Sequence, residues 1–83
     1  MPIVNRLGLH ARPAAEFVKV AGRFKSNITV RKDELEVNGK SIMGMMMLAA
    51  ECGSSLLVRA EGEDAEEALA AIAALIAAGF GED

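Results

Sequence analysis

Residues 8–14, Gly-Leu-His-Ala-Arg-Pro-Ala, contain the single histidine of the chain. Pro13 is favoured in the first turn of a helix, and apolar residues follow at helical spacing at positions 14, 17, 18 and 21. His10 therefore stands just before a helix N-terminus, where unpaired N–H groups and the helix dipole favour an anion. Arg12 adds a planar guanidinium that suits phosphate oxygens. These residue types predict a site where a histidine nitrogen takes up a phosphoryl group.

The same residues also have a plainer interpretation. A histidine at a helix start is often a surface residue or a simple cap, and Arg12 can be a solvated charge. A phosphohydrolase is not favoured, because the sequence places no second acid or base near His10.

Residues 40–48, Lys-Ser-Ile-Met-Gly-Met-Met-Met-Leu, form the second unusual segment. Ser41 is a strong N-cap residue, so a short helix is expected over residues 42–50. This helix is apolar nearly all round, and a chain of 83 residues cannot bury it on every side. We therefore expect Ile42, Met43 and Met46 to line an exposed docking patch, with Met45 and Leu48 turned inward. The alternative is that the methionines fill an irregular core.

Ser41 also allows two interpretations. As an N-cap it needs no further role. As a phosphorylation site it is well placed, because a phosphate at a helix N-terminus is stabilised locally and would charge the edge of the apolar patch.

The composition indicates one domain over residues 1–83, with 52% hydrophobic and 25% charged residues. A net charge of −3, without a basic run or an aromatic platform, argues against nucleic-acid binding. The N-terminus lacks a signal-type apolar region, and residues 68–78 are too short to span a bilayer, so we expect a cytoplasmic protein without membrane insertion. Cys52 is the only cysteine and cannot form an internal disulfide. The ligand spacing of a metal site is absent, and we expect no metal and no cofactor.

The remaining pattern predicts the element order β-α-β-β-α-β-α. Strands are expected over residues 3–7, 27–31, 34–37 and 55–60, with Ile28, Val30, Leu35 and Val37 facing the core. The first helix should run from residue 11 or 12 to 21. The last should begin at Asp64, with Glu67 completing a capping box, and should end near Gly79. Three amphipathic helices and four short strands define an α+β fold with helices on one face of an antiparallel sheet.

The histidine segment and the segment Lys40-Ser41-Ile42-Met43-Gly44, in this order and spacing, resemble HPr, the histidine-containing phosphocarrier family of the bacterial phosphoenolpyruvate:sugar phosphotransferase system (PTS). The resemblance covers essentially the whole chain. It implies an open-faced β-sandwich, a four-stranded antiparallel sheet of order 1-4-2-3 with three helices on one side. It also implies a monomer without enzymatic turnover of its own.

The resemblance further implies roles for individual residues. His10 would accept phosphate on Nδ1 from phosphorylated enzyme I and pass it to a IIA unit of a sugar permease, with Arg12 stabilising the phosphate. Ser41 would be the target of HPr kinase/phosphorylase, and its phosphorylation can promote binding to a transcriptional regulator. The partner-docking residues would be Phe17, Val18, Lys19, Ile42, Met43 and Met46.

Two departures from the usual family pattern stand out. The first strand begins almost at Met1, so this sheet edge should be short, and the run of residues 45–47 is unusually rich in methionine. Two other functions remain open at this point: a paralogue serving the nitrogen-related PTS, and a regulatory interaction module that acts through phosphorylated Ser41.

Overall fold

The structure, a computed structural model, describes residues 1–5, 8–48 and 50–81. Its elements in chain order are α1 (Ala11–Ala21), β1 (Asn27–Lys32), β2 (Leu35–Asn38), α2 (Ile42–Met47), β3 (Leu57–Glu61) and α3 (Ala65–Ala77), followed by a short 3-10 turn (Gly79–Gly81). The helices pack against an antiparallel sheet of order β2-β1-β3. The α+β class and the predicted order of these elements are confirmed.

Alternation along the strands decides which face of the sheet is covered. Ile28 and Val30 of β1 are buried, whereas Arg31 is exposed. Val30 lies opposite Val37 of β2 and Val58 of β3, so the apolar side chains of three strands share one face. The core between this face and the helices contains Phe17, Met45, Ala68, Ile72 and Ile76, among others. The other face is open to solvent.

The predicted first strand is not a strand in the described residues, which contain three strands instead of four. Residues 1–3 nevertheless run beside residues 54–56, which lead into β3. The N–H of Leu56 donates to the Met1 carbonyl at 2.8 Å, and the N–H of Ile3 donates to the Ser54 carbonyl at 2.7 Å. Pairing is limited to a single bridge between Pro2 and Ser55. The extended run ends at Asn5, whose carbonyl accepts the N–H of Gly8 at 3.1 Å. The segment thus lies where the order 1-4-2-3 requires; residues 6 and 7 of the predicted strand lie outside the described residues.

Two other boundaries differ from the prediction. Leu35, expected in the core, is 40% exposed, because it begins the edge strand immediately after the hairpin turn at Asp33, whose φ is +56°. Helix α2 ends at Met47 instead of residue 50. The Ala50 carbonyl accepts the N–H of Leu9 at 2.7 Å, so the chain has already left the helix there.

Asp64 is the N-cap residue of α3, as predicted, but its side chain makes no capping hydrogen bond, so the capping box with Glu67 is wrong. The carboxylate instead accepts hydrogen bonds from the Ser26 hydroxyl at 2.5 Å, the Lys25 N–H at 2.8 Å and the Ser26 N–H at 2.9 Å. These bonds, that from the Ser26 hydroxyl first, lower the pKa of Asp64 from 3.8 to about 2. Asp64 therefore connects the start of α3 to the turn before β1.

At its C-terminus α3 stops before Gly79, which has the φ of +64° expected of a helix-ending glycine. Among the described residues, no helix is both long and apolar enough to cross a membrane.

Candidate functional site

His10 occupies the N-cap position of α1, as the sequence predicts. Its backbone is extended, with φ −99° and ψ −167°, and its carbonyl accepts the N–H of Ala14 at 2.9 Å. The half-buried imidazole makes no capping hydrogen bond to the helix. The helix is therefore started by the backbone of His10.

The backbone ahead of His10 is fixed by contacts with a distant part of the chain. Gly8 has a φ of +69°, and a Cβ there would lie 2.4 Å from the Ala50 carbonyl oxygen. Leu9 donates its N–H to that same oxygen at 2.7 Å. The side-chain amide of the fully buried Asn5 donates from Nδ2 to the Gly8 carbonyl at 2.7 Å. These contacts set the direction in which the chain enters α1 and thereby position His10.

Sequence reasoning missed Asn5 and Ala50 as positioning residues. Asn5 carried a usable signal, since an asparagine three residues before a glycine is typical of a side-chain-supported turn. Ala50 carried none, because only its backbone carbonyl takes part and its partner lies 41 residues away in sequence.

Arg12 is exposed in the first turn of α1, two residues after His10. This turn contains no acidic side chain that would compete with a bound anion. The first N–H groups of a helix have no intrahelical acceptor, and the dipole adds a partial positive charge there. The first turn thus combines a nitrogen nucleophile, a guanidinium and a positive helix end, which suits an exposed phosphoryl group.

Ser41 is the N-cap of α2, and here the side chain does cap: Oγ accepts the N–H of Gly44 at 3.1 Å. Gly44 is tolerated inside this helix because its missing side chain lets the helix approach β2. A Cβ there would lie 3.2 Å from the Cβ of Val37. The expected close approach at Gly44 is therefore made by the protein itself.

Four exposed side chains of α2, here called the α2 surface, form an apolar patch: Ile42 (46% exposed), Met43 (78%), Met46 (45%) and Met47 (64%). Met45 and Leu48 point inward and are 0% and 3% exposed. The predicted division of this helix into outward and inward residues is confirmed. Met47 is an additional exposed residue that the sequence analysis did not assign.

The α1 residues expected at the docking surface behave differently from one another. Phe17 is fully buried in the core, so its assignment as a docking contact is corrected: it faces inward with Ala14 and Ala21. Val18 is half-buried and Lys19 is exposed. Helical spacing predicted the apolar face of α1, and Phe17 belongs to that face.

Two hydrogen bonds define how α1 and α2 lie relative to each other. The Leu9–Ala50 bond joins the start of α1 to the segment after α2. At the other end, the Lys40 ammonium donates to the Phe24 carbonyl at 2.7 Å, joining the start of α2 to the segment after α1. The helices therefore run in opposite directions, with His10 beside the end of α2 and Ser41 beside the end of α1.

Exposed basic residues accompany this pair of helices, although the net charge of the chain is −3. They are Arg12, Lys19, Arg23 and Lys25. The exposed carboxylates lie mostly on the β1–β2 hairpin and around the start of α3, at positions 33, 34, 36, 61, 63, 66 and 67, and Glu51 follows α2. The described residues contain no group of three or more histidine, cysteine or carboxylate side chains placed to hold a metal ion.

Comparison with known proteins relates this arrangement, a histidine at the N-cap of the first helix with an apolar second helix beside it, to phosphocarriers. The family model described as "PTS HPr component phosphorylation site" matches residues 1–78. The phosphocarrier protein HPr of Pseudomonas aeruginosa is 53% identical over 81 residues, covering 96% of this chain and 90% of the relative. The HPr-like protein Crh of Bacillus subtilis is 49% identical over 71 residues, covering 86% and 84%.

Among solved structures, HPr-C-His from Thermoanaerobacter tengcongensis superposes with a TM-score of 0.95 at 51% identity, covering all of this chain and 93% of that one. The chain belongs to the HPr phosphocarrier family of the PTS.

Proposed function

We propose that the protein carries a phosphoryl group between phosphorylated enzyme I and a IIA unit of a sugar permease, with Nδ1 of His10 as the carrier atom. The observation that carries this proposal is the position of His10. The residue is the N-cap of α1, next to Arg12 and at the positively polarised end of the helix, and this end lies beside α2.

The proposed transfer exchanges one N–P bond for another. A lone pair of the His10 ring attacks the phosphorus of a donor phosphohistidine, and the electron pair of the breaking N–P bond stays with the donor nitrogen. Transfer to the IIA unit repeats the exchange in the forward direction. Arg12 and the first turn of α1 stabilise the phosphoryl oxygens, without the enclosed pocket that would make release slow. The protein is thus a substrate of enzymes and has no turnover of its own.

Docking in this proposal uses the α2 surface with its basic neighbours. Apolar side chains that are exposed in the free protein gain free energy when a partner covers them. Lys19 and Arg23 would steer a partner whose matching face is acidic. We further propose that the carrier is one domain over residues 1–83 and acts as a monomer in the cytoplasm. Light scattering of the purified protein measures the oligomeric state.

The test is intact mass after incubation with enzyme I, phosphoenolpyruvate and Mg²⁺. We expect a gain of one phosphoryl group that brief acid treatment removes, as a phosphorus–nitrogen bond requires. His10→Ala should gain none while keeping the thermal melting curve of the parent. Unchanged phosphorylation of His10→Ala would overturn the assignment of the carrier residue.

We also propose that phosphorylation of Ser41 regulates this transfer, through an ATP-dependent kinase/phosphorylase and, in the host, a transcriptional regulator. Phosphate on Ser41 would bring a charge of about −1.5 to −2 to the edge of the α2 surface. It cannot meet a phosphate on His10 directly, since the two residues flank opposite ends of α1, which is about 16 Å long. The effect would therefore fall on docking.

Substitution of Ser41 separates capping from charge. Ser41→Asp keeps a capping oxygen and adds a charge, so we expect near-parental stability and a KM for enzyme I that rises about tenfold. Ser41→Ala loses the cap, so it should cost about 1 kcal/mol of stability and leave the KM within about twofold. A parental KM for Ser41→Asp would contradict regulation through docking.

The same phosphorylation assays test the alternative that the protein is a regulatory interaction module acting through phosphorylated Ser41. Phosphorylation of Ser41 by ATP and a kinase, combined with failure to accept phosphate from enzyme I, would favour it. Acceptance from the nitrogen-related enzyme I in preference to the sugar-type enzyme would favour the paralogue.

A further inference from the structure

Helix α2 contains four methionines within five positions, and their environments differ sharply. Met43, Met46 and Met47 are 78%, 45% and 64% exposed, whereas Met45 is fully buried. Three thioethers are thus presented to solvent on one short helix, and the fourth provides a protected reference in the same helix.

An exposed thioether reacts with oxidants of the peroxide class. The sulfur attacks the terminal oxygen of hydrogen peroxide, the O–O bond breaks, and one oxygen atom is transferred to sulfur while water is released. Sulfur loses two electrons and peroxide gains them. The product, methionine sulfoxide, is polar and chiral, and methionine sulfoxide reductases return it to the thioether.

The structure also indicates that oxidation would leave the fold intact. The three exposed side chains contribute little to the core, and the backbone contacts that hold α2, such as the Ser41 cap on Gly44, do not involve sulfur. Docking would change instead. A sulfoxide oxygen placed in an apolar interface must lose its water, and without a hydrogen-bond donor from the partner this desolvation is unfavourable.

We propose that Met43, Met46 and Met47 are a reversible oxidation site, through which oxidants of the peroxide class weaken docking of the phosphoryl donor while the domain stays folded. The effect on transfer rests on the proposed function. The selective oxidation of these three methionines over Met45 does not depend on it. The site couples phosphoryl transfer to oxidative conditions without touching His10.

The experiment starts from Cys52→Ser protein, because the exposed Cys52 thiol would also react with peroxide. After limited treatment with hydrogen peroxide, peptide mass spectrometry locates the added oxygen, and phosphoryl transfer from enzyme I gives KM and kcat. We expect oxygen on residues 43, 46 and 47 well before residue 45, and a KM about tenfold higher with kcat within about twofold. Treatment with both classes of methionine sulfoxide reductase should restore the KM.

The matched control is the triple variant Met43→Leu, Met46→Leu and Met47→Leu in the same background. Leucine keeps the surface apolar and similar in volume but cannot take up oxygen. The KM of the triple variant before peroxide serves as its own reference, and peroxide should leave that KM unchanged. A melting curve of the oxidised parent, followed by circular dichroism, should stay within a few degrees of the untreated protein.

Several results would overturn the proposal, and they differ from failure of the carrier function. Oxygen on Met45 as early as on the three exposed methionines would overturn the site. An unchanged KM after complete oxidation of the three, or an equal rise in the triple variant, would overturn its effect on docking. If untreated protein accepts no phosphoryl group, the carrier function and the effect on docking both fail. The positions of the added oxygen, located by peptide mass spectrometry, still decide whether the oxidation site exists.

Discussion

His10 owes its position to residues that take no part in phosphoryl chemistry. Gly8 adopts a left-handed φ of +69° and lies against the carbonyl of Ala50, and Asn5 holds the Gly8 carbonyl from inside the protein. A carrier histidine must meet two successive partners in the same orientation, so the entry of the chain into α1 must be well defined. In the proposed transfer, the backbone at residue 8 therefore positions the carrier histidine.

Gly8→Ala should destabilise the protein by at least about 2 kcal/mol, since it adds a backbone clash to the strain of a positive φ. Gly53→Ala is the matched control. Gly53 also has a positive φ, +91°, but a Cβ there would meet nothing within 4 Å, so the cost should be about 1 kcal/mol. Urea unfolding followed by circular dichroism measures both. Equal losses of stability would contradict the close contact at Gly8.

Arg12→Ala should slow phosphoryl acceptance from enzyme I by about tenfold, because one charge-assisted contact to the phosphoryl oxygens is lost. Arg23→Ala removes an equally exposed guanidinium beyond the other end of α1 and should leave kcat unchanged. Single-turnover transfer measured by quenched flow distinguishes the two variants. A slower chemical step in Arg23→Ala than in Arg12→Ala would argue against Arg12 as the phosphate-binding residue.

For individual residues, the sequence predicts those roles that depend on local spacing. The N-cap positions of His10 and Ser41 follow from a proline and a serine at helix starts, and the outward methionines follow from an excess of apolar residues on a short helix. The contact of Gly8 with Ala50 could not be predicted, because it depends on how two distant loops meet in the folded chain.

Helix α3 is attached to the turn before β1 through the side chain of its N-cap residue. Asp64 stands at the N-cap, yet its carboxylate binds the Lys25–Ser26 turn that leads into β1. Sequence alone predicts a local capping bond, since Asp64 and Glu67 have the right spacing. It cannot reveal that Ser26, 38 positions earlier, offers a competing hydroxyl and two nearby N–H groups.

The lowered pKa of Asp64 predicts a specific dependence of stability on pH. The folded-state pKa of Asp64, about 2, lies below its ordinary value of 3.8, so the ionised form favours folding. This contribution is complete above about pH 4 to 5 and is lost as pH falls through the interval between 3.8 and about 2. Asp64→Asn should lower the free energy of unfolding at pH 7. The difference from the parent should become smaller as the pH falls towards 2.

Urea midpoints of parent and variant between pH 7 and pH 2 measure this difference, and the other carboxylates cancel in the comparison. Ser26→Ala should show a similar but smaller change, because the two backbone N–H donors remain. A deficit of Asp64→Asn that stays constant from pH 7 to pH 2 would contradict the role of the ionised carboxylate.

The edge of the sheet shows the limit of pattern-based prediction for short elements. Residues 1–3 pair with residues 54–56 as the family fold requires, but the turn stabilised by Asn5 follows directly and limits the pairing to a single bridge. Leu35 follows the alternation of its strand, yet the hairpin end leaves it 40% exposed. The alternation of apolar and polar residues predicts on which face of the sheet a side chain lies. It does not predict whether another element packs over that side chain.

For the whole molecule, the antiparallel arrangement of α1 and α2 explains how one small surface could serve carrier and regulatory roles. His10 lies beside the end of α2, Ser41 lies at the start of α2, and the exposed methionines lie between them. Basic residues of α1 border this surface, and most of the exposed carboxylates lie elsewhere. A partner covering the α2 surface would thus contact all the elements assigned to transfer and its control.

The proposed carrier function requires that a second protein can remove the phosphoryl group from His10. A relay experiment tests this requirement: the protein is phosphorylated with labelled phosphoenolpyruvate and enzyme I, purified from both, and mixed with a IIA domain. We predict that the label leaves His10 and appears on the IIA histidine in equal amount, faster than it appears as inorganic phosphate. Label that is released only as inorganic phosphate, or that stays on the protein while IIA remains unlabelled, would contradict the phosphocarrier function.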